Sequence, residues 1–371
     1  MSATPLLLAL NAGSSSLKCA LYEVRDGVPA EVGRSEAPVH GVAADGAAVA
    51  QLLAWAAELR PGGALAGVGH RIVHGGLDFH EPVRIDASVL AALRALEPLA
   101  PLHQPQSLAA IDAMAALRPE LAQIACFDTG FHRTLPEVAV RFGLPRALHE
   151  AGVRRYGFHG LSYAYIADRL KALDPALAAG RVIVAHLGSG ASLCAMAAGR
   201  SIDTTMGFSP LDGLLMSTRC GALDPGVGLY LQARDGLGHD ALQDLLYARS
   251  GLLGVSGISG DMRTLLASGD PAAAEAVELF CYRAGREAAA LAGSLGGLDG
   301  LVFTAGIGEH SAEVRAMICQ RLAWLGVELD DAANAVGGEA RISRQTSRIA
   351  VWVSPTDEEK VIAGQTLQRL S

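Results

Sequence analysis

The sequence predicts an α/β protein with mixed sheets, on the strength of three observations. Short apolar runs ending in glycine-rich turns alternate with Ala/Leu-rich stretches of helical character along the whole chain. Some runs follow one another directly across a turn, as hairpin strands do, while others are separated by a helix, as crossover strands are. One unit also recurs: LLLALNAGSSSLKCALYEV at 6–24 is echoed by VIVAHLGSGASLCAMA at 182–197, each a strand, a Gly/Ser turn and a second strand. In both, a polar residue stands just before the turn. A duplicated domain and two unrelated hairpins are equally good readings of that echo.

The elements follow in order. The apolar run Leu6–Leu10 opens the chain without a basic leader or a long hydrophobic region, so it reads as a first strand and not a signal peptide. Further apolar runs predict strands at Lys18–Val24, Gly67–Val73, Ile124–Asp128, Val182–Leu187, Ser192–Ala197, Leu301–Thr304 and Ile349–Val353. Helical patterns cover Gly46–Leu59, Ser88–Leu96, Pro105–Leu117, Leu161–Leu173, Asp270–Ser294, Ser311–Leu325 and Glu358–Leu370.

At 371 residues, 50% of them hydrophobic, the chain can bury a large core as two domains or one large one. The net charge of −8 without a Lys/Arg cluster gives no footprint for nucleic acid or an anionic membrane. An anionic substrate would need locally concentrated positive charge. The 6 cysteines stand singly with no C-x-x-C pair, as small buried hydrophobes of a reducing compartment do. No apolar stretch is long enough to span a bilayer, and a soluble, cytoplasmic protein is expected.

Three Gly/Ser turns offer backbone N–H groups and hydroxyls to phosphate oxygens. They are Asn11–Lys18, with Ser14, Ser16 and Lys18; His186–Ser192, with Gly188, Ser189 and Gly190; and Thr304–Glu309, with Gly306, Gly308 and Glu309, leading into a helix near Ser311. None is a Walker A loop and none completes G-x-G-x-x-G. Arg71 and Arg219, flanked by small residues and turn formers, suit bidentate contact with phosphate oxygens. His70, His74, His103, His159 and His186 all lie beside turns. His70 and His74 on one strand would stand about 13 Å apart, which argues against shared zinc. Neutral histidines donating to phosphoryl oxygens and satisfied core histidines are both open readings. Asp128 follows an apolar strand, where a buried acid can hold Mg²⁺ or orient a reactant; Glu358, opening the last helix, can simply complement the helix dipole.

Taken together, LNAGSSSLKCALYEV, GHRIVHGG, CFDTGFHRTLP, RRYGFHGLSYAYIA, AHLGSGASLCAM, FTAGIGEHSAEVR and SPTDEEKVIA stand in an order that resembles the acetate kinase family, almost end to end. The resemblance implies duplicated ribonuclease H-like (actin-like ATPase) domains with mixed five-stranded sheets flanked by helices. Their expected extents are 1–130 plus 359–371 for the acid and phosphate, and 131–358 for the nucleotide. It further implies reversible transfer of the ATP γ-phosphoryl to acetate in the cleft, giving acetyl phosphate and ADP. The carried-over roles are phosphate contacts for Asn11, Ser14, Ser16 and Lys18; catalysis by Arg71, Arg219, Asp128 and His159; and His103 and His186 lining the site. Glu358 with Asn11 would serve Mg²⁺, for which Mn²⁺ can substitute, and Val73, Leu102, Phe158 and Pro210 would hold the alkyl group. A homodimer is implied on the same basis, with propionate or butyrate kinase, or an inactive nucleotide-binding homologue, as alternatives.

A carboxylate is already an anion at neutral pH, so its attack needs no general base, and Asp128 is better suited to orienting groups or assisting Mg²⁺. This chain departs from the family pattern at Ser189, Leu161, Tyr163, Gln104 and Ala222. Those departures bear on specificity and rate. Arg71, His159, His186, Arg219, Asp128 and Glu358 are all kept.

Overall fold

The computed structural model describes residues 4–13, 16–38 and 46–371. They form two compact units. The first comprises the described residues of Met1–Arg133 with Phe158–Tyr165 and Asp357–Ser371; the second comprises Thr134–Gly157 and Ile166–Thr356.

The first unit holds β1 (Leu6–Ala12), β2 (Ser16–Arg25), β3 (Val28–Pro38), β4 (Leu65–Ile72), β5 (Val83–Arg84) and β6 (Gln123–Phe127), in the order β3-β2-β1-β4-β6-β5. Strands β1, β4 and β6 run parallel, and the others are antiparallel to their neighbours. In the second unit, β7 (Arg181–Leu187), β8 (Ala191–Ala197), β9 (Arg200–Thr204), β10 (Gly300–Thr304), β11 (Ala340–Arg341) and β12 (Ala350–Val353) take the order β11-β12-β10-β7-β8-β9. Substituting β7 to β12 for β1 to β6 converts one order into the other, so the recurring hairpin marks a duplicated fold. Even the hairpin turns match: Asp26-Gly27 (φ 51° and 77°) and Ala198-Gly199 (φ 49° and 73°) both use left-handed pairs, the twist that two-residue hairpins favour. Each sheet has 6 strands where five were expected. The additions, β5 and β11, are two-residue edge strands too short to leave an apolar run.

β1 is buried on both faces, which explains its unbroken apolar run. Leu6, Leu8 and Leu10 pack with Val49, Leu52 and Ala56 of the helix Gly46–Leu59 and with Met114 of the helix Gln104–Leu117. Leu7 and Ala9 pack instead against Ile362 and Ala363 of the helix Glu358–Leu370. That last helix lies close on β4. A Cβ on Gly69 would stand 2.1 Å from Thr366 Oγ1, so only glycine permits the approach. In the second unit the helix Pro271–Ser294 packs on β7, β8 and β9 as well as on neighbouring helices, and its buried residues include Ala273, Ala276, Ala284 and Ala288. Among the described residues, no helix is long and apolar enough to cross a membrane.

Three expectations shift locally. β4 ends at Ile72, leaving Val73 and His74 beyond it; the helix from Ala312 ends at Arg321 before a short 3-10 turn; and the Gly-rich stretch after Thr304 is itself a helix, Ala305–His310.

Candidate functional site

In both units candidate side chains stand at the carboxyl ends of the parallel strands, where open α/β sheets bind ligands. In the first unit Leu10 pairs with His70, and Arg71 with Cys126. This register sets Asn11 level with Arg71 and places Asp128 just beyond β6. Arg71 donates to Asp128 Oδ2 from Nε at 2.9 Å and from Nη2 at 2.6 Å. Its Nη1 donates to Asn11 Oδ1 at 3.1 Å. The Asn11 amide in turn donates to Glu358 Oε2 at 2.9 Å and to Glu359 Oε1 at 3.0 Å. Behind Glu359 stands Arg34, 3.0 Å from its Oε2, paired also with Asp357 and Glu31.

This ladder of alternating charge is buried where it matters. Side-chain exposure is 18% for Arg71 and 1% for Asp128. Burial disfavours the Arg71 cation, but Asp128, Glu358 and Glu359 outweigh it and hold the guanidinium above its ordinary value. Burial raises the Asp128 carboxyl to about 6, with Arg71 pulling the other way and Glu358 adding to the rise. Both partners are therefore charged at neutral pH. Among the described residues, Asp128 Oδ1 is buried without a hydrogen-bond partner.

His159 and Phe158 belong to the same unit and are buried. Gly160 N donates to Asp128 O at 2.9 Å, and a Cβ there would stand 2.0 Å from that oxygen. The loop carrying His159 is thus pressed against the residue that holds Arg71. Of the expected alkyl-binding residues in this unit, Val73 and Phe158 are buried, while Leu102 is 41% exposed. His103 takes the N-cap position of the helix Gln104–Leu117. Gln104 clamps the loop after β4, its Oε1 accepting from His74 N and its Nε2 donating to His74 O, each at 3.2 Å. His74 Nδ1 accepts from Gly76 N at 2.9 Å, and the His74 ring meets Phe158 edge-on. His70 is a core histidine, lowered to about 4 by burial and hence neutral. Lys18 is exposed opposite Asn11, and Ser16 O closes the turn by accepting from Gly13 N. Ser14 lies outside the described residues.

The second unit repeats the scaffold with different chemistry. His186 ends β7 as Asn11 ends β1, and it pairs with Thr304 at the end of β10. Gly188 N donates to Gly190 O, and Ser217 N to exposed Ser189 O, joining this turn to the segment that carries Arg219. Arg219 Nη1 donates to Pro210 O at 2.6 Å. After Thr304, Ala305 adopts a left-handed backbone (φ 64°), and its N–H is held by Glu309 Oε1 at 2.7 Å. The same oxygen accepts from Thr356 N, so the Glu309 carboxylate braces its own turn. Gly306 is open to solvent and Gly308 is buried. Arg71 and Asp128 thus have neutral counterparts in Thr304 and Thr356.

Sequence reasoning missed Arg34 and Glu359, which face each other across 325 positions of chain. It also missed buried Arg315, whose Nη1 donates to Gly308 O and Glu309 O. No local pattern announces either.

The duplicated sheets, with their polar groups at the strand ends, place the molecule in the actin-like ATPase fold class. The profile of the Acetokinase family matches residues 42–364. The chain is 54% identical to the acetate kinase of Rhodopseudomonas palustris (strain TIE-1), with 96% of each chain covered. The crystal structure of Porphyromonas gingivalis acetate kinase superimposes with a TM-score of 0.87 at 34% identity, covering 99% of this chain and 100% of that one. A propionate kinase from Francisella tularensis gives 0.89 at 34% identity, covering 98% and 99%. The chain belongs to the acetokinase family.

Proposed function

We propose that this chain transfers the γ-phosphoryl of ATP to acetate, reversibly, giving acetyl phosphate and ADP. The observation that carries the reading is the Arg71 guanidinium, oriented by Asp128 and Asn11 at the ends of β4, β6 and β1. The first unit is assigned the acid and the reacting phosphoryl, and the second the nucleotide.

An acetate oxygen attacks the γ-phosphorus, forming the acyl–O–P bond as the bond to the β-phosphate oxygen breaks and ADP leaves with that electron pair. No proton moves, because the acid is already ionised. The obstacle is electrostatic: two unit charges ~4 Å apart repel by roughly 4 kcal/mol at an effective dielectric of 20. Arg71 and Arg219 offset that repulsion and stabilise the transferring phosphoryl, and His159 donates to it. The Ser189 turn and the residues around Gly306 serve the nucleotide phosphates. Val73, Leu102 and Phe158 face the methyl group, with Pro210 fixing Arg219 from the second unit.

Mg²⁺ suits the donors present. Glu358 offers a carboxylate, and among the described residues Asp128 Oδ1 has no hydrogen-bond partner and no cluster of three metal-binding side chains exists. One or two carboxylates plus substrate phosphates is the usual setting for this ion. Asn11, whose oxygen is taken by Arg71, sets the position of Glu358. When bound, the ion neutralises phosphate charge. A cytoplasmic homodimer is part of the same proposal.

ADP release measured with acetate, propionate and butyrate tests it. The highest kcat/KM is expected for acetate. One methylene is worth only about 1–3 kcal/mol, so overlap with propionate is expected. Preference for butyrate would overturn the assignment.

A further inference from the structure

His159 has a backbone conformation that its own side chain disfavours. Its φ is 58°, in the left-handed region that non-glycine residues seldom enter. Among the described residues only Asp26, Ala198 and Ala305 share this feature. Asp26 and Ala198 sit in tight hairpin turns, and Ala305 is held by the Glu309 carboxylate. Something must likewise hold His159.

The contacts around it identify the holder. After Asp128 the chain makes a 3-10 turn, Gly130–Thr134, that buries His132 to 3% exposure. His132 Nε2 lies 2.9 Å from Phe158 O, the carbonyl of the peptide that leads into His159. A carbonyl oxygen only accepts, so this nitrogen carries the proton. On the far side of the His159 Cα, Gly160 N donates to Asp128 O at 2.9 Å, and His159 O accepts from Tyr163 N at 3.1 Å. The peptide before His159 is tied by His132 and the peptide after it by Asp128 and Tyr163. The His132 ring is itself fixed, meeting Tyr163 edge-on at 5.6 Å and Phe131 edge-on at 5.8 Å. One short segment after β6 therefore supplies both the acid that orients Arg71 and the imidazole that fixes the entry to His159.

We infer that His132 is a positioning residue for phosphoryl transfer: its Nε2–H bond to the Phe158 carbonyl keeps His159 in the left-handed conformation that presents its ring to the reacting phosphoryl. The inference rests on the reading of His159 as a phosphoryl donor. Without that bond the Phe158–His159 peptide loses its tie to the segment after β6, and His159 relaxes toward negative φ, taking its ring with it. Phe158, on the same peptide, loses its fixed place beside the acid. The nucleotide phosphates are assigned to the second unit in the proposed function, so the effect should spare ATP affinity.

His132→Phe keeps an aromatic ring against Tyr163 and removes the donor, whereas His132→Gln restores an N–H at similar reach. The phenylalanine variant should lower kcat about 30-fold, the effect of losing roughly one well-placed buried hydrogen bond, with the ATP KM within about twofold. His132→Gln should recover most of that loss. In a His159→Ala background, His132→Phe should cost less than about threefold, because the two act through one group. A full multiplicative loss in that background, a phenylalanine variant within about threefold of the parent, or failure of glutamine to rescue would each refute the inference. If His132→Phe does not fold, His132→Asn, too short to reach the carbonyl, replaces it under the same criteria. Hydrogen exchange of the Gly160 and Tyr163 amides gives a readout independent of turnover. Faster exchange in His132→Phe, reversed in His132→Gln, supports the positioning role; unchanged exchange refutes it. If the parent protein does not phosphorylate acetate, the functional reading falls and the exchange data alone decide the structural one.

Discussion

Replacing Asp128 with alanine removes the carboxylate that accepts from Arg71 at 2.9 and 2.6 Å. The aspartate side chain is 1% exposed and the arginine 18%, so the guanidinium left behind is largely desolvated. Breaking a buried pair from one side costs about 3–5 kcal/mol. Arg71 keeps its bond to Asn11 Oδ1 and some exposure, which favours the lower end, about 3 kcal/mol. At about 1.4 kcal/mol per tenfold, kcat/KM for acetate should fall by roughly 10²-fold, as the freed guanidinium no longer points at the reacting phosphoryl. Coupled ADP release, with acetate and ATP varied separately, measures the loss, and thermal melting records how much of the cost appears as stability. Asp128→Asn, which keeps a neutral acceptor, should fall between the alanine variant and the parent. A loss under about fivefold with an unchanged melt would refute the claim that this pair orients the arginine.

Other outcomes follow from the same geometry. Arg219→Ala should reduce turnover by about two orders of magnitude or more while ATP binding stays measurable by calorimetry. On acidification, kcat/KM should fall through a limb near pH 6, and Asp128→Asn should abolish that limb. The folded value of Asp128, about 6, lies above the ordinary aspartate value of 3.8. Its contribution to stability is therefore fully present below 3.8 and lost as pH rises through about 6, so activity should fall on acidification without unfolding from this group. Glu358→Gln retains an acceptor for Asn11 but not the charge; the Mg²⁺ concentration for half-maximal rate should rise by about tenfold or more. Gln104→Asn is one methylene too short to meet both His74 N and His74 O, and should lower stability by about 1–2 kcal/mol in denaturant titration.

Eight strands and seven helices were legible because their residues are apolar on the buried positions, as Leu6–Leu10 is on both faces. The elements that escaped lack that signal. β3 is an edge strand with Ala37 its one buried residue and with two prolines, and the helices Pro225–Asp235 and His239–Ala248 bury no residue at all. Ala305–His310 reads as a turn because two of its six residues are glycine. Arg71, Asp128, Asn11 and Glu358 could be singled out by their places at strand ends and at a helix start. What links them could not: the Asn11–Glu358 contact spans 347 positions, and Arg34 enters the ladder from an exposed strand. His132 was invisible for a related reason, since its role depends on the backbone angle of His159, which no residue pattern encodes.

Trapping the product tests the central claim, a carboxylate acceptor for the phosphoryl group, most directly. With ATP, Mg²⁺, acetate and hydroxylamine, the parent protein should yield one acetyl hydroxamate for each ADP released, and Arg71→Ala should lose both together. ADP released without hydroxamate would make water the acceptor and contradict the account.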